Sequence, residues 1–209
     1  MRYAADGDSY TIGQSVSLDQ RWPEVVSAHL TRGGVPTRVV ANAAATGWTT
    51  QDLLDHGLPA YETSRPTFAT LQIGVNDWVR GTKPDQFRAN LVRVMDRMLK
   101  VLPDRRRLLL VTIPDFSVTP QGGRYARGRD APHGISAFNA IIMAEAKRRH
   151  LPVVDIFGTS QKMGSDKTLV ATDGLHPSAL EYKQWGKQIY PVALRLLQTT
   201  IPASSQESF

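Results

Sequence analysis

The chain has 209 residues, 41% hydrophobic and 21% charged, and no cysteine, which excludes disulfides, thiolate nucleophiles and cysteine-held metals. No apolar run approaches the ~18 residues of a membrane span, so one soluble α/β domain covering residues 1–209 is expected. The formal net charge of +6 is spread along the chain, with short clusters only at Arg105-Arg106-Arg107 and Lys147-Arg148-Arg149, where helices should end and cations complement the helix dipole; nucleic-acid binding is therefore not expected.

Residues 2–5 read as a first strand, which breaks into the turn Gly7-Asp8-Ser9. Trp22, Val25, Val26 and Leu30 recur at helical spacing over 21–31, and Gly33-Gly34 stops that helix. Arg38-Val39-Val40-Ala41 is a second strand, and Ala43 to Ala45 lead into Gly47 and a short helix over 49–55. Residues 68–73 form a third strand that ends at Gly74 and delivers Asn76. Between 84 and 102, Phe87, Leu91, Val94, Met95, Met98 and Leu102 mark an amphipathic helix.

The unbroken apolar run 108–113 fits a central parallel strand covered on both faces. Residues 114–132 then read as a long irregular loop of the kind that is commonly functional. Its Arg124, Arg127 and Arg129 either meet an anionic substrate or stand solvated. A helix over 135–149, a fifth strand over 152–156 and a last helix over 178–198 with a kink at Pro191 complete the chain, and residues from about 200 to 209 should fray. Strands alternating with helices imply right-handed βαβ units and a parallel sheet between helical layers.

In open α/β sheets, ligands bind beyond the carboxyl ends of the strands, where Ser9 stands after the first strand. A serine hydroxyl needs a base, an orienting carboxylate and donors for a developing oxyanion. Asp173-Gly174-Leu175-His176-Pro177 offers His176 as base and Asp173 as its orienter, while Gly47 and Asn76 are donor candidates. Each also has a structural reading: Ser9 as a helix cap, Asp8 as a turn former, Asp173 and His176 as a surface pair. Trp48 and Trp78 are candidate walls of an acyl pocket, with core or rim packing as the alternative. His29, His56, His133 and His150 lack metal-ligand spacing, so neither a metal nor a cofactor is expected.

The four blocks Gly7-Asp8-Ser9, Gly47, Gly74-Val75-Asn76-Asp77 and Asp173-Gly174-Leu175-His176, in that order from residue 3 to about 190, resemble the SGNH hydrolases, the GDSL esterase/lipase family. The resemblance implies a flavodoxin-like three-layer α/β/α sandwich with a five-stranded parallel sheet of order 2-1-3-4-5. It implies a serine esterase acting on short to medium acyl esters through an acyl-enzyme. Ser9 would be the nucleophile, His176 the base and Asp173 its orienter, with an oxyanion hole from the Ser9 and Gly47 N–H groups and the Asn76 amide. Asp6 departs from the pattern, since the family has an apolar residue before Gly-Asp-Ser. The same constellation serves carbohydrate O-deacetylases, thioesterases and lysophospholipases; a silent polyanion-binding module is the rival of another class. The expected partner is a small ester substrate. With no basic segment and apolar signal core at the start, a cytoplasmic protein is expected, or a secreted or periplasmic one if a leader was removed.

Overall fold

Apolar runs that are covered on both faces settle as the inner strands of a parallel sheet, and both Phe68–Gln72 and Leu108–Val111 are buried along their whole length. The computed structural model describes residues 1–198, so the expected fraying near 200–209 lies outside the described residues. Its strands are β1 (Arg2–Gly7), β2 (Arg38–Ala44), β3 (Phe68–Gln72), β4 (Leu108–Val111) and β5 (Val153–Val154). All neighbours pair in parallel in the order β2-β1-β3-β4-β5, as the resemblance implied.

Register explains why distant segments meet. Gly7 stands opposite both Ala44 of β2 and Gln72 of β3, so three strands release the chain side by side at one edge. Asp8-Ser9, Ala45 to Gly47 and Ile73 to Asn76 therefore emerge together. Gly7 must lack a side chain at this crowded point, because a Cβ would lie 2.3 Å from the Gln72 carbonyl oxygen and 2.3 Å from Thr11 Oγ1.

The helices are α1 (Ser9–Ile12), α2 (Trp22–Arg32), α3 (Thr50–Asp52), α4 (Leu58–Ser64), α5 (Val75–Arg80), α6 (Pro84–Val101), α7 (Gly122–Ala126), α8 (Ala131–Arg148), α9 (Phe157–Ser160) and α10 (Ala179–Gln198). On one side of the sheet α2 packs with α10; on the other α6 packs with α4 and α8. The apolar stripe read on α6 is the buried one, with Phe87, Leu91, Val94, Met95 and Met98 inward. Phe87 stacks on Phe138 of α8 at 4.5 Å, which locks the two helices together.

Several boundaries differ from the sequence reading, and prolines account for most of them. The segment 114–132 is not an irregular loop: it folds into a 3-10 turn at Phe116–Val118, then α7, then the start of α8. Pro132 opens α8 instead of ending a loop, since a proline in the first turn has no N–H to lose, and Asp130 caps the His133 N–H at 3.2 Å. The helix expected over 49–55 continues to Ser64 through a wider turn at Leu53–Gly57; Pro59 sits where the next helix begins. β5 spans two residues rather than five, whereas α10 runs through Pro191 as one helix, as read. Among the described residues, no helix is long and apolar enough to cross a membrane.

Candidate active site

At the end of β1 the chain turns directly into α1, and Ser9 is that helix's first residue. Asp8 caps it, accepting the Tyr10 N–H at 3.0 Å, so the turn-forming residue also takes the capping role read for Ser9. Burial pushes the Asp8 carboxyl up to about 8, against the pull of the Tyr10 N–H. Because the first N–H groups of a helix have no partner within it, the Ser9 N–H is available to a ligand at this turn.

From the far end of the chain, the loop after Val170 folds back through a bridge from Val170 to Pro177. This brings His176 to Ser9: its Nε2 lies 2.9 Å from Ser9 Oγ. On the other side of the ring, Nδ1 lies 2.6 Å from Asp173 Oδ2. Asp173 Oδ1 accepts the backbone N–H groups of Leu175 and His176, each at 2.9 Å, and Ser15 Oγ donates to Oδ2 at 2.7 Å. Burial works against the charge on Asp173, but the backbone N–H groups of Leu175 and His176, the Ser15 hydroxyl and the His176 ring together hold it down at about 2. A permanent carboxylate thus faces one ring nitrogen while a serine hydroxyl faces the other. The Tyr10 ring packs 5.3 Å from the imidazole and limits its swing.

Gly47 takes φ +82°, a left-handed value that glycine reaches without the steric cost other residues meet. Asn76, in the first turn of α5, donates through Nδ2 to the Trp48 carbonyl at 3.0 Å. An amide nitrogen carries two hydrogens, so that bond orients the group and leaves one donor over. Ser9, Gly47, Asn76 and His176 all line one cleft of about 130 Å³. Tyr10, Val75, Val79, Phe116, Tyr125 and Leu175 give it apolar walls, and Gln14 and Thr46 a polar edge, where Thr46 Oγ1 donates to Gln14 Oε1 at 2.7 Å. A larger hollow of about 530 Å³ lies at the opposite end of the sheet around Met1 and Arg2 and holds none of these groups.

Neither Trp48 nor Trp78 is among the lining residues, which favours packing, the alternative read for both, over an acyl wall. Residues two apart on a helix face different ways, so with Asn76 turned to the cleft loop, Trp78 points to α8. There it packs on Phe116 at 5.8 Å and under the Arg129 guanidinium at 4.0 Å. The Trp48 ring lies 6.3 Å from the His56 ring; what it offers the cleft is its backbone carbonyl. Arg129 is not a free cation of an open loop, since it donates to the Trp78 and Val79 carbonyls at 2.8 and 2.9 Å. Sequence reasoning missed Ser15, Tyr10 and Tyr125 as site residues. Only Tyr125 carried a signal, as the aromatic of a glycine-rich segment.

Asp6 lies just beneath, at the end of β1. Its carboxyl is wholly buried and neither oxygen has a hydrogen-bond partner. Burial pushes it well above the usual carboxylate range; the Ala43 backbone opposes this without reaching hydrogen-bond geometry. Among the described residues, no group of three or more His, Asp or Glu side chains could hold a metal ion.

Known proteins share this architecture. Residues 5–184 match the GDSL-like lipase/acylhydrolase family; the chain belongs to that family and is a carboxylic ester hydrolase. A relative, the esterase TesA of Pseudomonas aeruginosa, is 26% identical over 192 residues, covering 91% of this chain and 87% of its own length. Among solved structures, a family 3 carbohydrate esterase of Clostridium thermocellum superposes with a TM-score of 0.75 at 19% identity, covering 95% of this chain and 98% of the other. Axe2, an acetylxylan esterase of Geobacillus stearothermophilus, gives 0.71 at 15% identity, covering 99% and 97%.

Proposed function

We propose that the protein is a serine esterase that cleaves carboxylic esters of short to medium acyl chains through an acyl-enzyme on Ser9. The observation that carries this reading is the continuous line of hydrogen bonds from Ser9 Oγ through His176 to Asp173, at 2.9 and 2.6 Å, opening on a cleft. Neutral His176 accepts the Ser9 proton at Nε2 as Oγ attacks the ester carbonyl carbon, and Asp173 holds the proton on Nδ1. The imidazolium then returns its proton to the leaving alcohol. Water repeats the sequence on the acyl-enzyme and frees the acid. The Ser9 and Gly47 N–H groups and the spare Asn76 hydrogen take up the negative charge on the carbonyl oxygen.

The cleft's small volume supports a short acyl group, since drug-sized ligands occupy pockets of roughly 300 to 1,000 Å³. A second reading, removal of acetyl groups from carbohydrates, is supported by the Gln14 and Thr46 edge, which suits an alcohol bearing further hydroxyls. Hydrolysis of p-nitrophenyl esters from acetate to octanoate, set beside acetylated xylose, tests both. Ser9→Ala should lower kcat by about 10⁴-fold or more and abolish labelling by a fluorophosphonate. Wild-type turnover in that variant would refute the assignment.

A further inference from the structure

The Gly47 N–H, part of the peptide joining Thr46 to Gly47, can serve an oxyanion only if the backbone around Gly47 is held still, and a glycine at positive φ is the residue least able to hold itself. Part of the restraint comes from α5. Asn76 and Arg80 are four residues apart and share a helix face, and both reach the loop that follows β2. Asn76 holds the Trp48 carbonyl at 3.0 Å, while Arg80 Nη2 donates to the Gly47 carbonyl at 2.6 Å. Arg80 Nη1 also reaches Asp52 Oδ2 at 3.3 Å, and that same oxygen accepts the Thr49 N–H and hydroxyl, each at 2.9 Å. The guanidinium lies close against the glycine: a Cβ built on Gly47 would stand 3.5 Å from Nη2.

We propose that Arg80 is a positioning residue for the oxyanion hole. By fixing the following peptide, between Gly47 and Trp48, with a charge-assisted hydrogen bond, it anchors Gly47 from its carbonyl side and limits the coupled rotation about the Gly47 Cα that would turn the N–H away from the reacting carbonyl. The inference rests on the serine esterase reading. Arg80 is not among the residues lining the cleft and acts through Gly47, without touching substrate. Its side chain is 57% exposed, so its removal costs the fold little. Asp77, held to Thr50 N–H and hydroxyl at 2.8 and 2.6 Å, fixes the neighbouring turn, and the Trp48 N–H donates to the Ala45 carbonyl at 3.2 Å, which leaves the Gly47 carbonyl to Arg80.

The test compares Arg80→Ala and Arg80→Lys with wild type, measuring kcat and KM on p-nitrophenyl acetate, the rate of fluorophosphonate labelling and the melting temperature. Arg80→Ala should lower kcat about 10- to 100-fold with KM within twofold. Labelling should slow in parallel, because the phosphoryl oxygen occupies the same hole. Millimolar guanidinium should restore part of the lost rate, and Arg80→Lys should retain an intermediate rate. A rise in KM at constant kcat would make Arg80 a substrate contact and overturn the proposal, as would unchanged kinetics or a loss of rate that follows unfolding and resists guanidinium. Failure of wild type to label at Ser9 would instead sink the underlying esterase reading.

Discussion

Asp173 and Asp6 stand in two regions that meet at the carboxyl edge of the sheet, and their surroundings drive them in opposite directions. The loop around Asp173 leaves it partly open to solvent yet aims four donors at it, from Leu175, His176, Ser15 and the His176 ring. The inner end of β1 encloses Asp6 completely and supplies none. One carboxyl is held at about 2, the other pushed well above the ordinary range. Donors, more than depth, decide which acid keeps a charge.

The pH consequences have opposite signs. Asp173 contributes stability above the ordinary carboxylate range, lost as pH falls toward 2. Asp6 contributes its share below that range and loses it as pH climbs toward its raised value. Asp8, pushed up to about 8, behaves like Asp6, so the fold should weaken between mildly acid and mildly alkaline pH for reasons seated under the nucleophile.

The largest expected effect comes from breaking the Asp173 side of the contrast. In Asp173→Asn the remaining oxygen can still accept the two backbone N–H groups, but an amide NH₂ now faces His176 Nδ1. The ring must then accept at Nδ1 and carry its proton on Nε2, where it cannot take one from Ser9. A fall in kcat of about 10⁴-fold is expected, with a lower melting temperature because the stabilised charge is gone, read from steady-state kinetics and calorimetry. A loss below tenfold would mean that His176 does not depend on this carboxylate.

That side of the molecule was largely legible in the sequence. Ser9, Gly47, Asn76, Asp173 and His176 each sit just past a strand or in a glycine turn, where residue type and order carry the signal. The sheet was legible for the same reason, since apolar runs such as 108–113 have few alternatives. Partners brought in by tertiary folding were not. Ser15 reaches Asp173 across 158 residues, and Arg80 and Arg129 were placed by contacts to backbone carbonyls, which leave no mark in a pattern of side chains. Trp78 stood undecided in the sequence between acyl wall and packing, because closeness in sequence to Asn76 does not fix closeness in space, where a helix turns residues two apart to different faces.

On the Asp6 side, Asp6→Val replaces an unpartnered buried carboxyl with an apolar group of similar size and good strand propensity. Removing an unsatisfied polar group of this kind should stabilise the fold by about 1–3 kcal/mol. Urea unfolding of both proteins across the pH range checks it. The gain should be greater at pH 8 than at pH 4, because ionisation of this acid in the unfolded chain is only partial at pH 4 and complete at pH 8, while burial opposes it in the folded wild type. An equal gain at both would show that Asp6 ionises as freely inside the protein as outside.

The smallest effect sharpens the contrast without breaking it. Ser15→Ala takes one donor from Asp173 and leaves the other three, so the carboxyl should titrate higher than in wild type while remaining ionised at neutral pH. Its hold on the His176 ring should weaken only slightly. A net loss near 1 kcal/mol of folding stability for one such bond, about fivefold in the unfolding equilibrium, is expected with kcat/KM little changed. Carbon-detected NMR titration of Asp173 provides the direct readout. If Asp173 titrated as in wild type, the Leu175 and His176 amides with the ring would suffice to hold the charge, and the donor count that separates it from Asp6 would be three instead of four.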